Sequence, residues 1–273
     1  MSEEAYDRPQ SHYASGSYHL RRRWARAPPR ATQAFLQRLQ SGMNVLDCGR
    51  APGSIIVGFA QIVAPGRVKG VDLNEDDVRR VEELARIVET PNATFRSADI
   101  YTLPFADESF DAVFAHGVME HLAEFDAAIR EMVRVLKPGG LIGARSPDYG
   151  GHIYFPQDSL IDESLKLIEQ VVKRNGGDRN IGRHLRALFI EAGIERVDAS
   201  ASYESSGSFD QTRTDGESMA LIFLEPSFVK AAVEEGYEDA GRLEEIGVAW
   251  NSWGERPDAF PACAWREVVG LKP

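Results

Sequence analysis

The residues best able to do chemistry start at a glycine-bearing bend, Val45-Leu46-Asp47-Cys48-Gly49-Arg50-Ala51-Pro52-Gly53-Ser54, between a strand-like run and a helical pattern. Glycine at 49 and 53 lets the backbone turn sharply and come close to a ligand. A helix N-terminus just beyond offers free N–H groups to an anionic part of it. That combination points to a nucleotide-like cofactor. A dinucleotide fingerprint is not met, because Ala51 and Ser54 stand where its second and third glycines belong. Further on, His116 and His121 are five positions apart, and an imidazole titrates near neutrality, so either suits proton removal from an acceptor. Each is equally readable as a wall or helix-start residue. Asp148 and Tyr149, in Ser146-Pro147-Asp148-Tyr149-Gly150-Gly151, either read a substrate group or close a turn.

These residues need a frame. From 44 to 146 the chain alternates short β-branched runs (44–48, 67–73, 93–99, 110–116 and 141–146) with segments of helical period, the signature of an α/β fold with a parallel sheet covered by helices. Asn74 is a candidate N-cap for a helix that places Val78, Val81, Leu84, Ala85 and Val88 on one face. Phe125, Ile129, Met132, Val133 and Leu136 form the inward stripe of another, which Pro138-Gly139-Gly140 is expected to stop. Beyond, 159–174 and 180–192 read as helices, 194–203 as a strand, 216–253 as two helices and 262–269 as a last strand. The Ser/Gly-rich stretch 202–216 reads as a loop or hinge. The expected organisation is an N-terminal arm or lid (1–30), a cofactor-binding core (31–150), and lid helices with the last strands of the sheet (151–273). Tyr13, Tyr18 and His19 of the arm are cavity-lining candidates. Trp250, Trp253, Phe260, Tyr154 and Phe155 supply either an apolar substrate wall or simply core.

Composition excludes several classes. The 273 residues carry 31 Lys+Arg against 42 Asp+Glu, a formal charge of −11. That field repels phosphate backbones and anionic headgroups, so neither nucleic acid nor membrane is expected as a partner. The exception is local: five Arg within 21–30, a solvated edge or a means of capturing an anionic substrate group. Cys48 and Cys263 stand apart in apolar runs without metal-ligand spacing, so they read as small buried residues of a reducing compartment, and no metal is expected. The first ten residues, MSEEAYDRPQ, do not read as a signal peptide, and the longest nearly apolar stretch, 54–64, is far short of the ~20 residues that span a bilayer. A cytoplasmic location is expected.

With Asp47 two residues upstream of Gly49, the bend resembles the first motif of the class I S-adenosylmethionine-dependent methyltransferases, written loosely acidic-x-Gly-x-Gly-x-Gly. Further landmarks follow in order: Val71-Asp72-Leu73; Asp99-Ile100 with Leu103-Pro104-Phe105; the segment from Phe110 to Leu122; and Leu136-Lys137-Pro138-Gly139-Gly140. The resemblance covers roughly 31–146 and is closest to the small-molecule branch that includes quinone-biosynthesis C-methyltransferases and tailoring enzymes of bacterial secondary metabolism. It implies a doubly wound Rossmann-like sheet, mostly parallel with an antiparallel last strand, plus helical lid insertions. It also implies S-adenosyl-L-methionine as cofactor, contacted by Asp47, Gly49, Ala51, Gly53, Asp72, Leu73, Asp99, Ile100 and Ala115. In the family Asp72 would take both ribose hydroxyls and Asp99 the adenine amine, with Ile100 against the ring. Read singly, Asp72 and Asp99 are also ordinary strand-ending turn residues.

Two positions depart from the family pattern. Ala51 replaces the middle glycine, as it does in some active members, and one methyl group fits where φ is negative. Arg50 stands where a small residue is usual: turned inward it would pair with the cofactor carboxylate or fill the methionine space, turned outward it would be solvated. The expected activity is methyl transfer to a small, mostly apolar metabolite at a C, O or N acceptor. The alternative is a cyclase or isomerase on the same fold that orients a flexible substrate without transferring a methyl group. In-line displacement at the sulfonium methyl requires alignment at about 3 Å and exclusion of water, with His116 or His121 as the base where the acceptor must lose a proton. A homodimer is compatible with the sequence, which does not determine the oligomeric state.

Overall fold

The computed structural model describes residues 32–49 and 54–273. The N-terminal segment with Tyr13, Tyr18 and His19, and the bend residues Arg50, Ala51, Pro52 and Gly53, lie outside the described residues. In chain order the elements are α1 (Gln33–Leu36), β1 (Val45–Cys48), α2 (Ser54–Val63), β2 (Val68–Asp72), α3 (Glu75–Ile87), β3 (Ala93–Ser97), β4 (Phe110–His116), α4 (Phe125–Val135), β5 (Leu136–Pro147), β6 (Ile153–Phe155), α5 (Ser159–Arg174), α6 (Leu185–Glu191), β7 (Glu195–Ser205), α7 (Phe209–Leu224), α8 (Pro226–Glu234), α9 (Ala240–Gly254) and β8 (Phe260–Leu271). They form two compact units. A core unit holds the described residues up to Asp148 with 180–202 and 265–273, and a helical unit holds 149–179 and 203–264.

In the core unit β1 pairs in parallel with β2 and β4, β2 with β3, and β4 with β5, while β8 returns antiparallel to β5. The order β3-β2-β1-β4-β5-β8 reverses its winding between β1 and β4, which opens a crevice at the carboxyl ends of those strands. This is the doubly wound, mostly parallel sheet with an antiparallel last strand that the sequence implied. Alternation along the strands feeds two apolar layers. Leu46, Cys48, Val113 and Ile142 pack with Ile129 and Met132 of α4 on one face. On the other, Val45 and Phe114 pack with Phe35 of α1 and Phe59 of α2. Phe114 sits 4.5 Å from the Phe35 ring and 5.6 Å from that of Phe59. The apolar stretch at 54–64 is thus a buried core helix.

Several boundaries fall differently from the sequence reading. Helix α4 ends at Val135, before Pro138-Gly139-Gly140, and β5 begins at once with Leu136 opposite Phe110. The helix stops there because other segments satisfy its last carbonyls: Glu108 N–H donates to Arg134 O, Ser109 N–H to Val135 O, and Lys272 Nζ donates to Val133 O and Leu136 O. The expected hinge at 202–216 is strand up to Ser205 and helix from Phe209, started by a reciprocal capping box between Ser208 and Gln211. Three helices, not two, follow to Gly254. Pro226 breaks the run because it suits only a first turn, where the Glu225 carboxylate accepts from Ser227 N–H (2.9 Å) and Phe228 N–H (3.0 Å). Residues 180–192 begin with a 3-10 turn, Ile181–His184, before α6. The region 151–273 is divided between the units: 180–202 and 265–273 go with the core because Leu185, Phe189, Ile194 and Val268 bury against its sheet.

The helical unit has its own core. Trp250 Nε1 donates to Ser164 Oγ (2.9 Å) and Trp253 Nε1 to Pro156 O (3.0 Å), which lets both indoles be buried without an orphaned donor. Helices α7 and α9 meet at Gly216 and Gly254, where a Cβ on Gly216 would lie 2.5 Å from Trp250 O and 2.8 Å from Gly254 Cα. Trp250, Trp253 and Tyr154 are therefore core, whereas Phe155 and Phe260, register partners in the short and unanticipated β6 and in β8, are exposed. No helix among the described residues is long and apolar enough to cross a membrane.

Candidate active site

Register brings the candidate residues level. Cys48 is opposite both Val71 and Ala115, so Gly49, Asp72 and His116 stand together at the tips of β1, β2 and β4. Gly49 has φ +107°, and a Cβ there would come within 2.0 Å of Val118 Cγ2. No other residue type fits this turn without moving Val118. Beside it opens a small cleft lined by Gly49, Ile56, Val71, Asp72, Val78 and Phe95. Asp72 Oδ1 accepts from Asn74 N–H (2.8 Å), and Asn74 Oδ1 accepts from Asp76 N–H (2.8 Å), the expected capping position at the start of α3. Leu73, 55% exposed, stands just past the β2 tip.

Asp47 is the electrostatic anomaly. It is 1% exposed, and neither carboxylate oxygen has a hydrogen-bond partner among the described residues. Burial, and secondarily the charge of Asp72, push its carboxyl up to about 8. A buried carboxylate without partners is held neutral or awaits a cation.

The β3 tip is built from a separate set of bonds. Asp99 Oδ1 accepts from Tyr101 N–H (2.9 Å) and caps a 3-10 turn in which Ile100 is buried. Leu103-Pro104-Phe105 is then tied to α4: Glu131 Oε2 accepts from Leu103 N–H (2.9 Å), and Arg134 donates to Leu103 O and Phe105 O (both 2.9 Å). Arg134 was not singled out from the sequence, where it is one of many helical charges; its role depends on contacts with residues about thirty positions away.

The catalytic candidates separate. His116 stacks on Trp265, ring centres 5.1 Å apart and 8° from parallel, and the buried Arg145 guanidinium lies 4.2 Å from the same indole. Register sets His116 beside Arg145 and Arg145 beside Glu267, a polar row across three strands that the sequence reading missed. His121 lies in the 3-10 turn Met119–His121, its Nε2 3.7 Å from Glu120, whose other oxygen accepts from Ser146 Oγ (3.1 Å). Asp148 is buried and ion-paired with Arg183 (2.9 Å from Nε) and Arg266 (3.0 Å), so its two oxygens each hold a guanidinium. Ala115 lies one residue before His116 on β4. It is wholly enclosed in the core, because alternation turns it to the face that α4 covers. Tyr149 belongs to the helical unit, where the Arg179 guanidinium lies 3.5 Å from its ring centre. There His152 packs between Tyr149 and Tyr154 with neither ring nitrogen hydrogen-bonded among the described residues, and burial, then the charge of Arg179, pull it down to about 4. In sequence His152 follows two glycines and looks like part of a turn. Ala51 and Gly53 lie outside the described residues.

Known proteins match this arrangement. A family profile described as "Methyltransferase domain" matches residues 46–143, which holds every strand tip named above. An uncharacterized methyltransferase of Schizosaccharomyces pombe is 34% identical over 259 residues, spanning 90% of this chain and 91% of its own. This chain belongs to the class I S-adenosylmethionine-dependent methyltransferase family. The methyltransferase is also 30% identical over 181 residues to the ubiquinone/menaquinone biosynthesis C-methyltransferase UbiE of Pseudomonas entomophila, spanning 59% of this chain and 69% of that one. The solved structure of the YcgJ protein of Bacillus subtilis shares its fold, with a TM-score of 0.58 at 17% identity over 88% of this chain and 97% of that one.

The site suits the cofactor, S-adenosylmethionine. A glycine turn that no Cβ can enter suits an adenosyl group at close range, and the Asp72 carboxylate at the β2 tip, which borders the cleft, suits a pair of ribose hydroxyls. The unpartnered Asp47 oxygens match a cationic ligand. Gly49 and Asp72 line the cleft, Asp47 precedes Gly49 at the end of β1, and the Asp99 turn follows β3.

Proposed function

We propose that this methyltransferase transfers the methyl group to a small, largely apolar metabolite in the cytoplasm, without a nucleic-acid partner. The observation that carries the cofactor side is the Asp47–Gly49–Asp72 cradle at the switch point of the sheet. The acceptor class is supported by the likeness to a quinone-biosynthesis C-methyltransferase and by the net charge of −11, which disfavours polyanionic acceptors. In this reading Asp72 holds the ribose, Asp99 and Ile100 the adenine edge, and Leu73 covers the ring. His116 stands at the β4 tip beside the transfer point. Stacking on Trp265 fixes its ring plane, so it presents a nitrogen in one direction and takes the acceptor's proton where the acceptor is a hydroxyl or an acidic carbon. His121, beside Glu120, stabilises the turn that carries the β4 tip, and Tyr149 takes part in acceptor recognition.

The test is transfer of label from methyl-tritiated S-adenosylmethionine into fractionated cell extract. Label in the low-mass, solvent-extractable fraction, with S-adenosylhomocysteine formed in step, supports the reading. Label that precipitates with nucleic acid or protein overturns it. The His116→Gln variant should lower kcat with little change in cofactor Kd.

A further inference from the structure

Two carboxylates stand at adjacent strand tips beside one cleft, and their surroundings differ. Asp72 is half-buried, borders the cleft and has a backbone N–H on one oxygen. Asp47 is enclosed, with neither oxygen hydrogen-bonded among the described residues. Its side chain lies on the sheet face shared with Val45, where α2 contributes Ile56 and Phe59. Its register partners, Gly70 on β2 and Phe114 on β4, bring no charge. The titratable groups around it are Asp72 on β2, His116 two positions beyond Phe114 on β4, and Cys48, which points to the opposite face and whose thiol burial pushes up. Arg50 lies outside the described residues. Of these, only Asp72 acts on Asp47 through its charge, and it opposes ionisation. Taking an unpaired carboxylate out of water costs enough that the group keeps its proton instead, and a second carboxylate nearby adds to that preference.

We infer that Asp47 makes cofactor binding proton-linked: it holds a proton in the cofactor-free protein and releases it to solvent when the sulfonium-bearing cofactor enters the cleft, whereas the demethylated product displaces it far less. The inference rests on the cofactor assignment and goes beyond it. S-adenosylmethionine carries a sulfonium and an ammonium against one carboxylate, a net charge of +1, and S-adenosylhomocysteine has lost the sulfonium charge. Only the former adds a net positive charge beside the Asp47–Asp72 pair, so only it strongly favours the ionised form of Asp47. A ligand whose binding expels a proton binds more tightly as pH rises, until the free protein has already lost that proton. The burial-raised value of about 8 places the end of this rise near pH 8. The chain therefore discriminates cofactor from product by charge, and the discrimination grows between pH 6 and 8.

Isothermal titration of the full chain with S-adenosylmethionine and with S-adenosylhomocysteine, each in phosphate and in Tris from pH 6 to 9, tests this. The buffer-dependent heat counts released protons. The expected result is about one proton released by the cofactor at pH 7, with its Kd falling five- to tenfold per pH unit, roughly, up to pH 7.5 and levelling above pH 8; the product Kd should move by less than about threefold over the range. Asp47→Asn should remove the proton release that accompanies cofactor binding at pH 7, leaving only the contribution of the ligand's own amine. If that variant does not fold, Asp72→Asn serves: with less negative charge beside Asp47, the steep region should move to lower pH. Equal proton counts for both ligands, or a cofactor Kd that ignores pH, overturns the inference while leaving the cofactor assignment intact. Binding of neither ligand at any pH overturns the assignment itself.

Discussion

Removing the charge option at Asp47 should stabilise the cofactor-free protein at alkaline pH and cost stability in acid. Its carboxyl titrates near 8 in the folded chain and at 3.8 in the unfolded one, because burial, and then Asp72, disfavour ionisation. A group with a raised folded value contributes stability that is full below the unfolded value and lost as pH rises to the folded one. The loss runs at about 1.4 kcal/mol per pH unit between roughly pH 4 and 8, so at pH 7 it amounts to about 4 kcal/mol of what the site contributed in acid. Asparagine has the same shape without the titration, but its buried amide leaves unpaired groups that cost about 1–3 kcal/mol at every pH. The difference leaves Asp47→Asn more stable than the parent by about 3–5 kcal/mol at pH 8.5, and less stable at pH 4. For a chain of this size about 2–4 °C in Tm accompanies each kcal/mol. Thermal melts followed by circular dichroism without cofactor, from pH 4 to 9, should therefore show the two Tm curves crossing between about pH 4.5 and 6. Parallel curves, offset by the same amount at every pH, would refute the reasoning, since they would mean that Asp47 ionises as easily in the folded chain as in water.

Three further outcomes follow from local geometry. Gly49→Ala places a Cβ at φ +107° and 2.0 Å from Val118 Cγ2, so unfolding by urea should show a loss of about 2–4 kcal/mol; adding Val118→Ala should recover the part due to the clash and leave the backbone strain. Arg134→Met removes the donors that hold Leu103 O and Phe105 O, and should cost about 1–3 kcal/mol while weakening S-adenosylmethionine binding severalfold at nearly constant kcat; an unchanged Kd would detach the β3 loop from cofactor binding. Asp148→Asn leaves Arg183 and Arg266 without their shared carboxylate. Both retain water contact, so the cost should be about 1–3 kcal/mol, read by denaturant melts, with kcat within a few-fold of the parent; a hundredfold fall in kcat at unchanged stability would restore Asp148 to the reacting centre.

Local signals carried most of the frame. Short β-branched runs placed β1 to β4 within two residues; β1 and β4, buried on both faces, write that burial into their own composition. Asn74 was legible as a cap because its partner, Asp76 N–H, is two residues away. The α7 start was not: Ser205, Ser206, Gly207 and Ser208 have loop composition, and only the reciprocal bond between Ser208 and Gln211 turns that composition into a helix entrance. The end of α4 was misplaced because a lysine at the far end of the chain, Lys272, completes it.

The sequence by itself determined the order of the sheet elements, the glycine bend and the carboxylates at the strand tips, since spacing along the chain sets which residues reach a strand's end. Only the tertiary structure decided what those residues are. Packing enclosed Asp47 and so raised its carboxyl, put Asp148 between two guanidiniums, hid Ala115 beneath α4, and laid His116 flat against Trp265. Identity and spacing are local properties, whereas desolvation and charge pairing depend on neighbours that folding brings from distant parts of the chain.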